Sequence, residues 1–251
     1  MLDMAGSSLG VIIAYVFLAT NFGFHKAFLF SIIPAIVGIM IIFAVKENKN
    51  CEVPCEKLNL KGLKLDRALK TYLAMVFIFC LGNSSNTFLL LKAQEQGFSA
   101  SQVILLYLVF NVATSVLAIP SGRLSDKLGR SKVLFPGYLI YGFVYIGFAL
   151  LSSKTAIILL FIAYGAYNAF ISGAERAFIA ENSPAGLKGT VLGLYGMLQG
   201  IGLLFSSIIA GLMWDNINSS APFLFGGILG IISAIIIKIV LSTKIKDKYP
   251  I

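Results

Sequence analysis

The chain has 251 residues, of which 58% are hydrophobic and only 12% are charged. Soluble domains carry roughly 25% charged residues, so one water-soluble core could not bury this much apolar surface. The composition therefore excludes an ordinary soluble enzyme or binding domain and predicts an integral membrane protein. The net charge of +9 does not indicate nucleic-acid binding, because the basic residues are spread between apolar stretches and are not gathered in one domain.

Apolar stretches long enough to cross a bilayer recur along the chain. A transmembrane helix needs about 20 mostly apolar residues, and in lipid the backbone must satisfy its own hydrogen bonds, which favours helices. Eight stretches meet this requirement, and they are 4–21, 26–45, 71–92, 99–121, 132–152, 155–176, 188–213 and 221–243. We therefore predict an all-α integral membrane protein with about eight transmembrane helices.

Lysine and arginine are distributed unevenly over the two sets of alternate connectors. Almost all of the 20 basic residues lie in one set, in or beside segments 46–70, 122–132, 176–188 and 238–248. The other set has only Lys26, Lys92 and Lys154. By the positive-inside rule the basic set is cytoplasmic, which places both termini on the cytoplasmic side of the cell membrane.

The connector 46–70 is the longest, and long connectors without structure usually join separate units. We therefore divide the chain into two helices at 1–45, a cytoplasmic linker at 46–70, six helices at 71–243 and a cytoplasmic tail at 244–251. Two helices are too few to form a bundle of their own. The arrangement indicates the later portion of a larger protein with two helical bundles.

Three cysteines and one histidine give little basis for a metal or redox centre. Cys51 and Cys55 lie in the charged linker, whereas Cys80 lies in an apolar stretch. A structural zinc site needs four ligands close together, so we expect reduced thiols. We predict neither a metal nor a cofactor.

A charged motif separates the fourth and fifth predicted spans. Residues 122–132 are GRLSDKLGRSK, which resembles the G-x-L-[AS]-D-[RK]-x-G-R-[RK] loop of the major facilitator superfamily, with Ser131 interposed before the last basic residue. In that family the motif follows the second helix of each six-helix bundle. The resemblance implies an MFS-like fold in which this chain corresponds to helices five to twelve, with a complete C-terminal six-helix bundle and the first four helices missing.

The spacing of the motif suggests a physical role for four of its residues. Gly122 and Gly129 permit a tight turn and a close approach of helices. Asp126 can accept hydrogen bonds from the amino end of a neighbouring helix, and Arg130 can reach a carboxylate with two hydrogen bonds. Arg123 and Lys127 are interpreted as ordinary positive-inside charges, and the same interpretation competes with a specific role for Arg130.

The partners expected for this charged motif are Glu175 and Arg176, predicted at the cytoplasmic end of the sixth span. The family resemblance implies that such charges latch the two bundles together in the outward-facing state. It also implies that Asp126 lies against the start of the first span. We therefore predict a gate latch formed by Gly122, Asp126, Gly129, Arg130, Glu175 and Arg176.

Amide side chains at mid-span depth are costly unless they are paired or line a wet cavity. The candidates for the wall of a substrate cavity are Asn83, Asn86, Asn111, Asn168 and Gln199. Asn83, Asn86 and Asn168 are preferred, with hydrogen bonding between helices as the competing interpretation of each. Hydroxyl groups are added by Tyr141, Tyr145, Tyr164, Tyr167 and Tyr195. No carboxylate is expected at mid-span, because the acidic residues fall in predicted connectors or near predicted helix ends.

These features favour a secondary active transporter in the lipid bilayer that moves a small solute by alternating access, with no nucleic-acid partner. One alternative is a non-transporting fragment, since half of the usual two-bundle cavity is absent unless the missing N-terminal helices or another chain supply it. A second alternative is a membrane-embedded enzyme, which needs a clustered nucleophile and base or paired acids at one depth. The single histidine, His25, is placed near the outer surface, so we expect no enzymatic activity.

Overall fold

The computed structural model of the chain describes residues 2–20, 24–44, 65–184 and 186–248. Helices account for nearly all of these residues, and these residues include no strand. The helices are α1 Leu2–Ala19, α2 Phe24–Ala44, α3 Arg67–Gly82, α4 Asn86–Glu95, α5 Ala100–Leu128, α6 Arg130–Leu150, α7 Lys154–Asn182, α8 Lys188–Asn216 and α9 Ala221–Lys248. The predicted all-α fold is confirmed.

Six segments of the described chain are long and apolar enough to cross a membrane. They are Arg67–Glu95, Ala100–Leu128, Lys132–Leu150, Lys154–Asn182, Lys188–Asn216 and Ala221–Ile239. α1 and α2 coincide with the first two predicted spans and contain the shorter apolar helices Gly6–Phe17 and Leu29–Phe43. The prediction of an all-α membrane protein is confirmed. Most of the predicted linker, including Cys51 and Cys55, lies outside the described residues.

The six later spans pack into one bundle around buried aromatic rings. α6 lies against α7 and α9, α5 lies against α7, and α3 contacts both α8 and α9. The fully buried rings include Tyr72 of α3, Tyr138 and Tyr141 of α6, and Phe223 of α9. α1 packs along α5, and α2 contacts α1. A buried tyrosine hydroxyl needs a polar partner, which Tyr138 finds in Glu175 and Tyr141 finds in the Gly82 carbonyl.

The third span, predicted as one helix over 71–92, is broken in the middle. α3 ends at Gly82 and α4 begins at Asn86, with three residues between them that are not helical. The Ser85 side chain caps α4 by accepting a hydrogen bond of 3.3 Å from the Thr87 backbone N–H. Serine and asparagine side chains compete in this way with helical hydrogen bonds, which is why the stretch GNSSN interrupts the helix.

Neighbouring helices hold the broken backbone in place. A Cβ added at Gly82 would lie only 2.9 Å from Leu229 Cβ on α9, so glycine is needed for this close approach. Tyr141 of α6 donates a hydrogen bond of 2.9 Å to the Gly82 carbonyl. Ser206 of α8 donates one of 3.0 Å to the Asn83 carbonyl. The freed carbonyls are therefore satisfied within the protein, as the low polarity of a bilayer requires.

The segment 122–132, predicted as a loop, is almost entirely helical. α5 continues to Leu128 and α6 begins at Arg130, and leucine, arginine and lysine, which make up most of 123–128, are good helix formers. Gly129 alone separates the two helices, with φ +94° and ψ 141°. Positive φ favours glycine, so the predicted tight turn is found at Gly129. The predicted close approach at Gly122 is not found, since a Cβ there would meet no described atom within 4 Å.

Candidate functional site

A pocket of about 490 Å³ lies beside the break between α3 and α4. This volume is within the range of roughly 300–1,000 Å³ that is usual for small-molecule sites. The lining residues come from the break, α4, α5, α7 and α8, and they are Asn83, Ser84, Ser85, Asn86, Thr87, Tyr107, Tyr164, Tyr167, Asn168 and Leu203. All except Leu203 carry an amide or a hydroxyl group, and none carries a formal charge.

Three of the five predicted cavity residues come together in this pocket. Asn83, Asn86 and Asn168 all line it, and each is half-buried. The Tyr164 hydroxyl donates a hydrogen bond of 2.8 Å to Asn86 Oδ1, which ties α7 to the first turn of α4. The side-chain amides of Asn83 and Asn168 make no hydrogen bond to another described residue, so they are available to a bound solute.

The other two predicted residues lie away from the pocket lining. Asn111 is buried on α5, where its Nδ2 donates a hydrogen bond of 2.8 Å to the Tyr107 carbonyl one turn earlier. Gln199 of α8 donates from Nε2 to the Tyr195 hydroxyl at 2.5 Å and lies 3.5 Å from Glu175 Oε2. Both amides are thus paired within the protein. The Asn111 bond stays within α5, and only Gln199, through Glu175 of α7, makes the contact between helices that the competing interpretation expects.

An aromatic wall forms one side of the pocket. Phe110 lies between Tyr107 and Tyr164, with ring centroids 5.6 and 5.1 Å apart. The rings of Tyr164 and Tyr167 follow at 5.4 Å. Tyr164 and Tyr167 lie three residues apart on one helix and therefore share a face. The sequence pattern gave no comparable signal for Tyr107. Its role becomes visible only once α5 is packed against α7.

Glu175 is buried inside the bundle and not at a helix end as predicted. α7 continues to Asn182, about two turns further, and Glu175 is only 3% exposed. Tyr138 of α6 donates a hydrogen bond of 2.5 Å to its Oε1, and Tyr195 of α8 donates to its Oε2. The expectation that every acidic residue lies in a connector or near a helix end is therefore wrong. Arg176, the next residue, is exposed.

The cytoplasmic motif forms a charge cluster where α5, α6 and α7 meet. Arg130 pairs with Asp126 across the turn, and its Nε donates a hydrogen bond of 3.1 Å to Glu181 Oε1. Its guanidinium also donates one of 3.3 Å to Ser125 Oγ. Glu181, and not Glu175, is the acid of α7 that Arg130 contacts, because Glu175 points into the bundle. The hydrogen bond to Glu181 raises the pKa of Arg130 above its usual range, so Arg130 stays charged.

The predicted contact between Asp126 and the start of α1 stays a prediction. α1 packs along α5, the helix that carries Asp126, but the side chains of residues 1–5 lie outside the described part of the chain. The side chains of Asp126 and Glu181 are 64% and 57% exposed. Ion pairs in such exposed positions contribute at most about 1 kcal/mol each, so this cluster is easily broken.

A second ion pair lies at the opposite end of the bundle. Lys92 near the end of α4 is buried, and its Nζ lies 2.9 Å from Glu95 Oε2. The ammonium also donates hydrogen bonds of 2.9 Å to Ser219 and 3.3 Å to Ser220. Ser219 in turn donates one of 2.7 Å to Glu95 Oε1. These contacts fasten the second half of the broken span to the turn between α8 and α9.

The chemistry of the pocket is that of reversible hydrogen bonding. Its amides and hydroxyls can donate to and accept from a solute without forming a covalent bond. Elsewhere in the described chain, no three His, Cys, Asp or Glu side chains are grouped so that they could hold a metal ion. The buried thiol of Cys80 is free. The described lining of the pocket therefore offers amides and hydroxyls that can bind a solute reversibly.

Comparison with known proteins gives a consistent result. The family model described as Major Facilitator Superfamily matches residues 71–250. An uncharacterised MFS-type transporter of Methanocaldococcus jannaschii is 33% identical over 244 residues, which are 94% of this chain and 61% of that protein. Magnetosome protein MamH of Paramagnetospirillum magneticum is 30% identical over 121 residues, 46% of this chain and 28% of that one. Quinolone resistance protein NorA of Staphylococcus aureus is 26% identical over 148 residues, 59% of this chain and 38% of that one. The chain thus spans less than two thirds of the length of each of these curated relatives.

Proposed function

We propose that this chain, which belongs to the major facilitator superfamily, is a secondary active transporter. In this proposal it moves a small solute across the membrane by alternating access. The chain is an integral membrane protein of a family of transporters. We further propose that the solute binds in the pocket beside the α3–α4 break.

The pocket is the single observation that carries this proposal. Uncharged polar side chains are concentrated there, between helices that are apolar enough to span a membrane. Transporter sites are commonly formed where a span is broken, because the interrupted backbone and nearby polar groups can then contact the solute. The two free amides of Asn83 and Asn168 give the pocket unused hydrogen-bonding capacity, which a purely structural packing role leaves unexplained.

The size of the solute is supported by the pocket and by one relative. A volume of about 490 Å³ accommodates a small organic molecule. NorA is named as a quinolone resistance protein, and a quinolone is a small organic molecule. We therefore infer a small organic solute for this chain, without an enzymatic step.

Membrane topology is part of the same proposal. The basic residues lie in alternate connectors, so by the positive-inside rule both termini face the cytoplasm. The cluster of Asp126, Arg130 and Glu181 then lies at the cytoplasmic face, and Lys92 lies at the outer face. We infer on the same ground that the protein lies in the cytoplasmic membrane.

We further infer that the cytoplasmic charge cluster acts as a gate latch. Arg130 joins α5 and α6 to Glu181 of α7 through exposed, weak ion pairs. α1, which packs along α5, is the element against which such a latch could close. A latch made of weak contacts suits alternating access, because the two states of a transporter must differ by only a few kcal/mol. Gly129 supports the geometry through its positive φ.

A competing function is a non-transporting part of a larger transporter, because the matched segment covers 61% of the Methanocaldococcus relative. In that case the missing helices, or another chain, would complete the cavity. Uptake by the chain alone separates the two possibilities.

The experiment is uptake by the purified chain in proteoliposomes exposed to a defined pool of small metabolites. The lumen is analysed by mass spectrometry against empty liposomes. Substituting Asn168→Phe fills the pocket and should abolish uptake, whereas Asn216→Phe at the exposed end of α8 should leave it unchanged. Lumenal contents identical to those of empty liposomes would support the fragment and reject independent transport. Equal uptake by both variants would reject the pocket as the site.

A further inference from the structure

The chemistry of the pocket walls restricts the solute more narrowly than its size does. We propose that the pocket binds an uncharged, planar heterocycle that carries a hydrogen-bond donor and an acceptor on one edge. This inference rests on the proposed function, because it names the class of solute carried in the same pocket. Three properties of the site lead to it: the absence of charge, the aromatic wall and the free amides.

The described residues that line the pocket offer no counter-charge to an ionic solute. Its residues are amides, hydroxyls, phenols and one leucine. The buried ionic groups of the described bundle are already engaged: Glu175 by Tyr138 and Tyr195, and Lys92 by Glu95. An ion enclosed without a partner is strongly disfavoured at membrane depth. A neutral solute avoids this penalty.

The aromatic wall favours a flat ring. Tyr107, Phe110, Tyr164 and Tyr167 form a continuous series of neighbouring rings from α5 to α7. Three of these four side chains line the pocket. A planar solute can place its face against such rings and gain contact area together with an offset stacking interaction. A saturated ring of the same size cannot stack in this way.

The free amides supply the polar edge of the site. An asparagine amide presents one acceptor oxygen and two donor hydrogens, and it pairs well with a heterocycle that shows a donor beside an acceptor. Asn83 and Asn168 keep both functions available. Asn86 keeps its donor, since its Oδ1 already accepts from Tyr164. The donor–acceptor edge of the solute is therefore expected to face the break and Asn168.

Four small probes separate the three properties. Nicotinamide is planar and neutral, nicotinate is its anionic counterpart, 3-(aminomethyl)pyridine is cationic, and cyclohexanecarboxamide keeps the amide but not the flat ring. Binding to the purified full chain is measured by isothermal titration calorimetry at pH 7. We expect nicotinamide to bind, and we expect the affinity of each of the other three probes to be lower by about tenfold or more. Equal or tighter binding of a charged probe overturns the neutral class, and equal binding of cyclohexanecarboxamide overturns planarity. Failure of nicotinamide to bind at about 10 mM overturns the proposal as a whole.

A charge placed in the pocket should reverse the preference. Asn168→Asp converts one amide to a carboxylate of almost the same shape, and we expect it to weaken nicotinamide binding about tenfold while 3-(aminomethyl)pyridine gains about as much. Asn216→Asp makes the same change on exposed surface and should behave as wild type. An unchanged preference in Asn168→Asp would contradict the assignment. If that variant fails to fold, judged by its thermal melt, Asn83→Asp makes the same test from the break.

Uptake measured with the same probes distinguishes this inference from the proposed function. Nicotinamide that binds but does not accumulate in proteoliposomes contradicts transport by this chain and leaves the solute class standing. Accumulation of nicotinate or 3-(aminomethyl)pyridine in preference to nicotinamide contradicts the solute class and leaves transport standing.

Discussion

The hydroxyl of Tyr138 donates a hydrogen bond of 2.5 Å to Oε1 of Glu175, joining α6 to the buried acid of α7. Tyr195 of α8 donates to the other carboxylate oxygen, and Gln199 donates to the Tyr195 hydroxyl. The ion pairs of the described residues do not include Glu175. Hydroxyl groups from two helices therefore satisfy both oxygens of this buried acid.

Removing one of these donors should destabilise the bundle. Tyr138→Phe leaves Oε1 of Glu175 without its donor, and an unsatisfied buried polar group costs about 1–3 kcal/mol. We expect the free energy of unfolding, measured by denaturation in detergent, to fall by that amount. Tyr107→Phe is the matched control, because the Tyr107 hydroxyl makes no hydrogen bond to a described residue, and it should change stability by less than about 0.5 kcal/mol. Equal effects of the two substitutions would argue against a structural role for the Tyr138 hydrogen bond.

Two glycines of α7 should respond in opposite ways to the same substitution. A Cβ at Gly165 would lie 2.7 Å from Ala113 Cβ and 2.8 Å from the Phe110 carbonyl oxygen, so Gly165→Ala forces α5 and α7 apart. We expect a loss of about 1–3 kcal/mol in the free energy of unfolding. Gly173→Ala meets no described atom within 4 Å and removes a poor helix former, so it should be neutral or stabilising by up to about 1 kcal/mol. A neutral Gly165→Ala would show that the α5–α7 contact is looser than its geometry indicates.

Hydropathy predicts helices well here but predicts their ends poorly. The apolar stretches locate the spans because lipid leaves little choice other than a helix. The same criterion ends a span where charges begin, and it therefore places 122–132 in a loop although α5 continues to Leu128. It also stops the sixth span at 176 and so misses that Glu175 is buried. Helical propensity continues past the apolar region, and only tertiary packing decides whether an acid near its edge is buried.

The sequence also predicts the candidate site only in part, because hydropathy does not determine how the helices pack. Amide side chains at mid-span depth cannot be explained by apolar packing, so Asn83, Asn86 and Asn168 stand out in the sequence. The structure shows that all three line one pocket. The sequence cannot separate them from Asn111, whose amide bonds back to its own helix. It also cannot identify Tyr107, since a tyrosine in an apolar helix is equally suited to the core. Which polar group finds an internal partner depends on helix rotation, and hydropathy does not determine that rotation.

The outer ion pair should contribute measurably to stability. Lys92→Met keeps the length of the side chain but leaves Glu95, Ser219 and Ser220 without the ammonium that they surround. The Glu95 side chain is 46% exposed, so water can solvate it after the change, and we expect a loss of about 1–2 kcal/mol, less than for a fully buried pair. Lys188→Met, at an exposed position, is the control and should be near neutral. The free energy of unfolding in detergent measures both, and a neutral Lys92→Met would mean that the pair does not fasten α4.

The latch can be tested by separating transport from stability. Asp126→Ala removes one partner of Arg130 and Glu181→Ala removes the other, while both acids are exposed enough that folding should tolerate their loss. If the cluster biases the two states of the transporter, Asp126→Ala should reduce uptake about tenfold or more with an unchanged amount of protein in the membrane. Glu181→Ala should also reduce it, because Arg130 then loses its ion pair to α7.

Asp215→Ala on the exposed end of α8 is the matched control for this pair, and it should transport as wild type does. Uptake is measured in proteoliposomes for whichever solutes the wild-type protein accumulates, and the amount inserted is measured in parallel. Wild-type uptake by Asp126→Ala would reject the latch, since a contact whose loss does not change the balance between states cannot control it. Reduced uptake that merely follows a reduced amount of inserted protein would also reject it, because the ion pairs would then serve folding alone.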